Sequence, residues 1–466
     1  MKKMFRKFVA PLAIIGAALA TVACVYDPDF QGSLEAANVE ETVAVTLMNH
    51  LTAGEYDAAT ALLAPELQGA FTAIPFQFHI SGRHGTTFDF TVIDTIEHEG
   101  FHITTVSANH AMGHAVHNIV ADANGAIAGF TTLSFDFEPM LPPADATYTA
   151  EPIVIGEGTM WALDGLLTIP QNASAENPVP ALILLHGSGA NNMDTAIFEN
   201  RPFFDIADYL STNGIAVLRY NERTFTHGLL LSQVYGANMT IQEEYITDAL
   251  LAAQILRDDP RISSIFVLGH SLGGMVAPRI AYEGGLDGVI IFASSPRTLM
   301  EISHSQNIAL IGDLVAAGAL PQADADAMLA DLAITHEEIR QTLTLPIEQL
   351  QDVLLLGVIP ALYERSLIDS DPLAFIARNT NIPVLIQHGD RDFQTTTAED
   401  FQVFLEGTEG MTHVTATNYL GLNHMMMTAY RQYGPLVMDI MEYRIPDRVD
   451  TRVTRDIVDW IFSNID

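Results

Sequence analysis

The chain has one cysteine in 466 residues and no lysine after residue 7. A single cysteine excludes an intramolecular disulfide, whatever compartment the protein occupies. The missing lysine excludes every mechanism that depends on one: Schiff bases, Ser-Lys dyads and the phosphate-binding lysine of a P-loop. Positive charge of any kind is scarce. There are 21 lysines and arginines against 57 acids, a formal charge of −36, and four of those basic residues (Lys2, Lys3, Arg6 and Lys7) lie at the N-terminus. Without these four, 17 arginines face 57 acids and the charge is −40. Such a surface repels nucleic acid and anionic lipid headgroups, so neither is an expected partner. Apolar residues, by contrast, make up 48% of the chain. That suffices for sizeable cores and excludes disorder, and the length implies two or three domains.

Residues 1–23 read as a processing signal, with a basic head, an apolar run from Phe8 to Ala20 and small residues before Cys24. The run is too short for a comfortable membrane span. "TVAC" resembles the lipobox of bacterial lipoproteins, although Thr21 stands where leucine is commonest. Cys24 is thus the expected lipidation site, and a lipid anchor the expected link to the membrane. Residues 24–32 read as a tether. Residues 33–138 read as a small α+β domain, with helices to about Phe71 followed by a curled antiparallel sheet. Its expected strands are "FQFHIS", "TFDFTVIDTIEHEG", "FHITTVSANH" and "HAVHNIVADANGAIAGFTTLSFDF", with "DANG" as a turn. "MLPPADATY" (140–148) reads as the exit linker. The histidines of this domain invite a metal reading, and His110, His114 and His117 are the tightest group. No cysteine accompanies them, and a strand-and-turn segment does not stack ligands at i and i+4. Solvated or core-satisfied histidines are expected, and no metal.

Beyond residue 150 strands and helices alternate, which predicts a mostly parallel sheet with helices on both faces. The candidate strands are "LDGLLTIP", "PALILLHG", "GIAVLRY", "SIFVLGH", "GVIIFAS", "IPVLIQHG" and "THVTATNYL". Between Phe292 and Pro383 the rhythm breaks into stretches that all read as helical. Residues 297–380, approximately, are therefore expected to form a helical lid, because the insertion leaves from the C-terminal end of a strand, where such sheets place their sites.

In "SIFVLGHSLGGM" a short apolar run ends in Gly269-His270-Ser271-Leu272-Gly273. That G-x-S-x-G pattern suits a sharp strand-to-helix turn that presents Ser271 as a nucleophile, with only small residues fitting at ±2. A serine hydroxyl needs a base, an orienting acid and a site for the oxyanion. Asp392, three residues past Gly389, is the preferred acid, and Asp390 the runner-up. His424 lies beyond the end of the last strand, on the edge where Ser271 sits; His413 lies at that strand's beginning, and the elbow directs the His270 side chain elsewhere. "HGSG" after a strand supplies backbone amides at close approach, giving Leu272 and Ser188 as the expected oxyanion donors and Gly189 as the competing one. Glu337 and Glu338 in the lid are an acidic pair of the kind that holds a peptide amino terminus, although a solvated helix face accounts for them better.

These features resemble the α/β-hydrolase superfamily over residues 150–466, in particular its serine-aminopeptidase-like and dienelactone-hydrolase-like branch. "HGSG", "FFDIADYLSTNGIAVLRYNERT", "EEYITDALLAAQILRDDPRI", "GHSLGGMVAPRIA" and "LNH" are similar to a bacterial group of exported hydrolases. Members of that group commonly carry a small cystatin-like or ketosteroid-isomerase-like N-terminal domain. The resemblance implies an α/β-hydrolase fold and acyl transfer through Ser271, Asp392 and His424 without metal or organic cofactor. It also implies a small-molecule or acylated substrate and an extracytoplasmic, envelope-anchored location. Carboxylic esters are the expected substrates. A serine peptidase acting on short peptides is the alternative, and a non-catalytic surface binding protein on the same fold the second. One departure is "RYNERT", where relatives tend to have Asp-Lys in place of Asn221-Glu222.

Overall fold

A computed structural model describes residues 42–70, 76–430 and 440–465. The processing signal, the tether with Cys24 and the first residues of the small domain lie outside them.

The described part of the small domain opens with the helices Val43–Ala53, Tyr56–Ala61, Pro65–Ala70 and Phe76–His84. The first is capped by the Thr42 hydroxyl, which accepts from the Val45 amide at 3.3 Å, and ends at Gly54 in a left-handed conformation (φ +72°). Four antiparallel strands follow in sequential order: β1 (Thr87–His98), β2 (Phe101–His110), β3 (Gly113–Ala121) and β4 (Ile127–Phe137). Burial alternates residue by residue along β3, because one face of the sheet closes over Leu47, Met48, Leu51, Phe76 and Ile80. The segment expected as the strand "FQFHIS" is instead the helix Phe76–His84. Phe76, Ile80 and His84 follow one another every four residues on its buried face, while Phe78 packs against Phe198 of the second domain, ring centroids 5.8 Å apart. A helix buried on two sides produces the alternation that reads as a strand.

The second domain has an eight-stranded sheet: β5 (Tyr148–Ile155), β6 (Leu163–Pro170), β7 (Val179–Leu185), β8 (Ala216–Tyr220), β9 (Ile262–His270), β10 (Gly288–Phe292) and, after the insertion, the last two strands. The insertion itself carries a two-stranded hairpin, β11 (Leu354–Leu355) and β12 (Ile359–Pro360); β13 (Val384–Gly389) and β14 (Val414–Tyr419) then complete the large sheet. The order is β14-β13-β10-β9-β7-β8-β6-β5, parallel from β14 to β8, with β6 and β5 antiparallel at one edge. β7, β8, β10 and β13 are buried at every residue, as strands covered on both faces must be; β7 and β10 run apolar without alternation, while β8 and β13 also bury Arg219, Gln387 and His388. β5 begins at the residue where the exit linker was expected to end. It is a half-exposed edge strand that tolerates Pro152 and carries no apolar run to announce it.

The chain goes from β7 outward to β8 and then returns to β9 on the other side of β7. Strand order reverses there, and the crevice beyond the carboxyl ends of β7 and β9 is where open α/β sheets hold their ligands. The insertion covers that crevice. Its helices Leu299–Ala316 and Gln322–Leu343 have their own small core with Ile339, Leu343, Leu350 and Ile359. Two expectations for it are corrected. It is not helical throughout: Gly357 (φ +80°) and Pro360, which lacks an amide hydrogen, turn residues 354–360 into the hairpin. It is also shorter than expected, because the helices Ala361–Ile368 and Pro372–Arg378 bury Tyr363, Leu367 and Ile376 in the main core.

The two domains are joined by specific contacts. The Phe198 amide donates to the Gly82 carbonyl at 3.0 Å, and the Met140 amide donates to Asp194 Oδ2 at 2.8 Å.

Candidate active site

Ser271 lies between the last residue of β9 and the first of the helix Leu272–Gly284, at φ 53° and ψ −119°. A non-glycine residue there carries strain of about 1–3 kcal/mol, held by its surroundings. Those surroundings leave no room beside it. A Cβ on Gly269 would lie 2.2 Å from the Gly273 carbonyl oxygen, and one on Gly273 would lie 2.4 Å from that of His186. The Ser271 amide donates to the Phe292 carbonyl (2.9 Å), and the Ser294 hydroxyl donates to the Ser271 carbonyl (2.5 Å). Strand, turn and helix are thus pinned to β10.

Asp392 follows β13 and His424 follows β14, at the same edge of the sheet. His424 Nδ1 and Asp392 Oδ2 are 2.7 Å apart, with both side chains buried. Asp392 Oδ1 also accepts from the amides of Gln394 (2.8 Å) and Thr395 (2.9 Å), and Oδ2 from the Thr395 hydroxyl (2.8 Å). Burial alone would raise the pKa of this carboxyl. The adjacent His424, His388 and the Thr395 amide outweigh it and hold Asp392 below the ordinary carboxylate range. Asp390 is elsewhere: its Oδ1 accepts from the Gly421 amide at 2.6 Å, the work of a turn aspartate. His413 lies ahead of β14 with its ring against the Ile376 carbonyl (3.3 Å).

The loop that holds His424 is built by Asn423, whose Oδ1 accepts from the amides of Met425 and Met427 and whose Nδ2 donates to Glu442 at 2.7 Å. The ring of His270 stands behind His424 at a centroid distance of 4.8 Å, and its Nε2–H donates to the His424 carbonyl at 3.1 Å. Burial, then the neighbouring His424, pushes His270 down to about 3, so it stays a neutral donor. His270 is outside the lining of the cavity that Ser271 shares, and adjacency to Ser271 was the only sequence signal for its supporting place.

Ser188, Ser271 and Leu272 line one cavity of about 40 Å³, closed from above by Leu299, Met300, Ile302 and Ile359 of the insertion. Leu272 opens its helix, where the first amides have no partner within the helix. Ser188 therefore stands with Leu272 on the cavity wall, whereas Gly189 (φ +105°) is outside that lining. Asn191 shapes this loop: its Nδ2 donates to the carbonyls of Gly187 (3.0 Å) and Gly189 (2.9 Å). Asn221 Oδ1 accepts from the Met193 amide at 2.9 Å. Sequence reasoning noted Asn221 and Glu222 only as a departure from relatives and did not single out Asn191. Glu337 and Glu338 are exposed, and Glu337 lies 3.8 Å from Arg340.

Residues 178–429 match the family described as serine aminopeptidase, S33, over more than half of the chain. The chain belongs to this family. Esterase EstD of Thermotoga maritima is 35% identical over 309 residues, 65% of this chain. The chain spans 66% of that relative's length, just under two thirds. Among solved structures it is similar to Est1E from Butyrivibrio proteoclasticus, with a TM-score of 0.39 and 17% identity over 67% of this chain and 98% of that one. It is also similar to the Pyrococcus furiosus esterase Pf2001 (TM-score 0.40, 14% identity, 71% and 100% covered). A third is the Pyrococcus horikoshii acylaminoacyl peptidase, with a TM-score of 0.42 and 11% identity over 84% and 57%.

Among the described residues no group of three His, Cys, Asp or Glu side chains is arranged to hold a metal ion. His84, His110, His114 and His117 of the small domain are occupied by one another and by their neighbours. His110 and His117 meet at 3.0 Å through Nε2, and their Nδ1 atoms face Thr87 (3.2 Å) and Thr132 (3.1 Å). His84 Nδ1 donates to the Ile80 carbonyl at 3.1 Å. Burial pushes His84 to about 3 and His110 to about 4. His114 is exposed, against Ser107 at 2.7 Å.

Proposed function

We propose that the protein is a serine hydrolase that cleaves carboxylic esters through an acyl-enzyme on Ser271. The observation that carries this is the hydrogen-bonded Asp392–His424 pair at the strand edge where Ser271 occupies a strained elbow above a lidded cavity. The 35% identity to an esterase supports the same bond class.

His424 Nε2 takes the Ser271 proton as Oγ attacks the ester carbonyl, while Asp392 fixes the tautomer and stabilises the imidazolium. The oxyanion is received by the amides of Leu272 and Ser188; losing one such donor raises the barrier by about 3–4 kcal/mol. His424 then protonates the leaving alkoxide, and water repeats the sequence to release the acid. The apolar Leu299, Met300 and Ile302 on the cavity wall favour an uncharged acyl group over a charged one. Among the described residues no carboxylate lines the cavity to bind a free amino terminus, which makes aminopeptidase action the second reading. A binding protein without activity is the third reading, and the elbow strain that such a protein would have no use for speaks against it.

Export, with Cys24 lipidated and the enzyme held at the cell envelope, is part of the same proposal. It rests on the sequence of the first 24 residues, and no helix among the described residues is long and apolar enough to cross a membrane. The small domain, of cystatin-like or ketosteroid-isomerase-like type, serves binding or spacing. Soluble protein starting at residue 25 is assayed on p-nitrophenyl acetate, butyrate and octanoate and on aminoacyl anilides, beside Ser271→Ala. Ester turnover that disappears in Ser271→Ala, with anilides untouched, is expected. Dominant anilide cleavage would move the assignment to a peptidase. Silence on every substrate, with no labelling of Ser271 by a fluorophosphonate, would leave the binding protein.

A further inference from the structure

The departure "NE" at Asn221-Glu222 leads to a buried network that the hydrolytic mechanism does not use. The Glu222 amide donates to the Asn191 carbonyl at 3.0 Å, and Glu222 Oε2 accepts from the Asn191 amide at 2.9 Å. Asn191 is thereby gripped from both sides of its backbone. Its side chain in turn holds the carbonyls of Gly187 and Gly189, and the Tyr245 hydroxyl donates to Gly187 from the opposite direction at 2.9 Å. Apart from the Tyr245 hydroxyl on Gly187, the loop around Ser188 is held from outside through Glu222 and its neighbour Asn221. Glu244 lies beside Glu222, also buried, and accepts from the Tyr363 hydroxyl. The residue after Tyr363, Glu364, accepts through Oε1 from the amide of Met300 at 2.9 Å, and Met300 forms part of the cavity roof.

We propose that Glu222, backed by Glu244, is the positioning residue of the oxyanion loop and ties that loop to the root of the lid. The proposal rests on the ester-hydrolase reading only for its kinetic readout. Two buried carboxyls side by side hold such a geometry when they carry at most one charge between them. Burial raises both above the ordinary carboxylate range; for Glu222 the neighbouring Glu244 adds to this, while the Asn191 amide and the Thr224 and Tyr245 hydroxyls pull the other way. The other groups around the pair do not relieve it. Arg223 is spent on Asp248, with Nε to Oδ2 at 2.9 Å. Tyr220, Tyr245 and Tyr363 stay neutral because burial raises all three hydroxyls, and Glu364 is another buried acid raised in the same way. Alkaline pH therefore places two charges in the network and loosens the loop.

The test compares the wild type with Glu222→Ala and Glu222→Gln, the latter isosteric with the protonated acid. In Glu222→Ala, kcat for p-nitrophenyl acetate falls about 10- to 100-fold while KM moves less than about threefold, since a loop displaced by an ångström costs rate rather than binding. Glu222→Gln recovers most of that loss and lacks the wild-type decline on the alkaline limb of the pH profile. Amide hydrogen exchange of residues 187–193 quickens in Glu222→Ala and not in Glu222→Gln, a readout that needs no substrate. If Glu222→Ala does not fold, Tyr363→Phe, which removes only the hydroxyl on Glu244, is expected to lower kcat and quicken exchange in the same loop. Unchanged exchange in folded Glu222→Ala, or coincident alkaline limbs for wild type and Glu222→Gln, would overturn the proposal. A wild type without ester turnover whose 187–193 exchange still responds to Glu222→Ala would refute the esterase reading and leave the positioning role standing.

Discussion

Replacing Asp392 by asparagine tests the site at one atom. Four donors converge on the carboxylate: two backbone amides on Oδ1, and the Thr395 hydroxyl and His424 on Oδ2. Asparagine has one oxygen, and the two backbone amides, fixed by the turn, will claim it. Its NH₂ then takes the place of Oδ2, opposite His424 Nδ1. An amide N–H cannot accept from Nδ1–H, so the imidazole adopts the other tautomer, with Nδ1 as acceptor and the proton on Nε2. A protonated Nε2 cannot take the Ser271 proton. The expected loss is about 10⁴-fold in kcat, or about 5 kcal/mol in the barrier at 1.36 kcal/mol per decade. The fold should survive, because the two backbone amides keep their acceptor, His424 accepts where it had donated, and the Thr395 hydroxyl can rotate. The assay is kcat on p-nitrophenyl butyrate from pH 6 to 10, with thermal unfolding of the same preparations. Asp390→Asn, altering only a turn, should change kcat by less than about threefold. An Asp392→Asn enzyme within tenfold of wild type, or an equal loss in Asp390→Asn, would refute the assignment.

Gly273→Ala places a Cβ 2.4 Å from one backbone carbonyl and 2.7 Å from another; it should cost about 3 kcal/mol in urea unfolding and abolish fluorophosphonate labelling. Gly312→Ala, inside the helix Leu299–Ala316 with nothing within 4 Å of the new methyl, should instead stabilise by about 0.5–1 kcal/mol. Burial raises the Glu364 pKa to about 7. Such a group contributes fully below the unfolded value near 4.5 and loses its contribution as pH rises through about 7, so the stability of Glu364→Gln relative to wild type should grow between pH 5 and pH 8 by up to about 3 kcal/mol. A flat difference across that range would refute it. Asp194→Ala leaves Arg219, fully buried and paired to it, without a counter-charge. It should lower the unfolding free energy by about 3–5 kcal/mol, whereas a loss under 1 kcal/mol would mean that water reaches the site.

The large sheet was legible because most of its strands are buried on both faces and bounded by turn signals; β7, β10 and the Ile265–Leu268 part of β9 are apolar runs. Ser271, Asp392 and His424 were legible for a related reason: each lies just past a parallel strand, and such residues share one edge of the sheet. Three features were not legible, and each has a physical cause. The helix Phe76–His84 is buried on two sides, which erases the helical period in favour of a period of two. β5 is an edge strand paired only with β6, so half its residues are free to be polar. The supports at Asn191, Glu222 and His270 act through hydrogen bonds between residues some thirty to a hundred and fifty positions apart, and nothing in a local pattern records such a pairing.

The segment between β7 and the helix Pro202–Thr212 is held from two sides, and this gives the small domain a physical part in the site. On the inner side Asn221 and Glu222 grip residues 191–193. On the outer side the Asp194–Arg219 pair, the Met140 amide on Asp194 and the Gly82 carbonyl on the Phe198 amide hold the continuation. Between those anchors Thr195 (φ 49°) and Phe198 (φ 51°) sit in left-handed backbone without being glycine, each at a cost of about 1–3 kcal/mol that the anchors offset. A segment strained in this way would relax once one set of anchors left, and the first residues to follow would be those that carry Ser188. The small domain supplies Gly82 and the face of Phe78 that covers Phe198, and the linker after it supplies Met140. Together they brace the segment that follows Ser188 from behind, through contacts that do not touch Ser271.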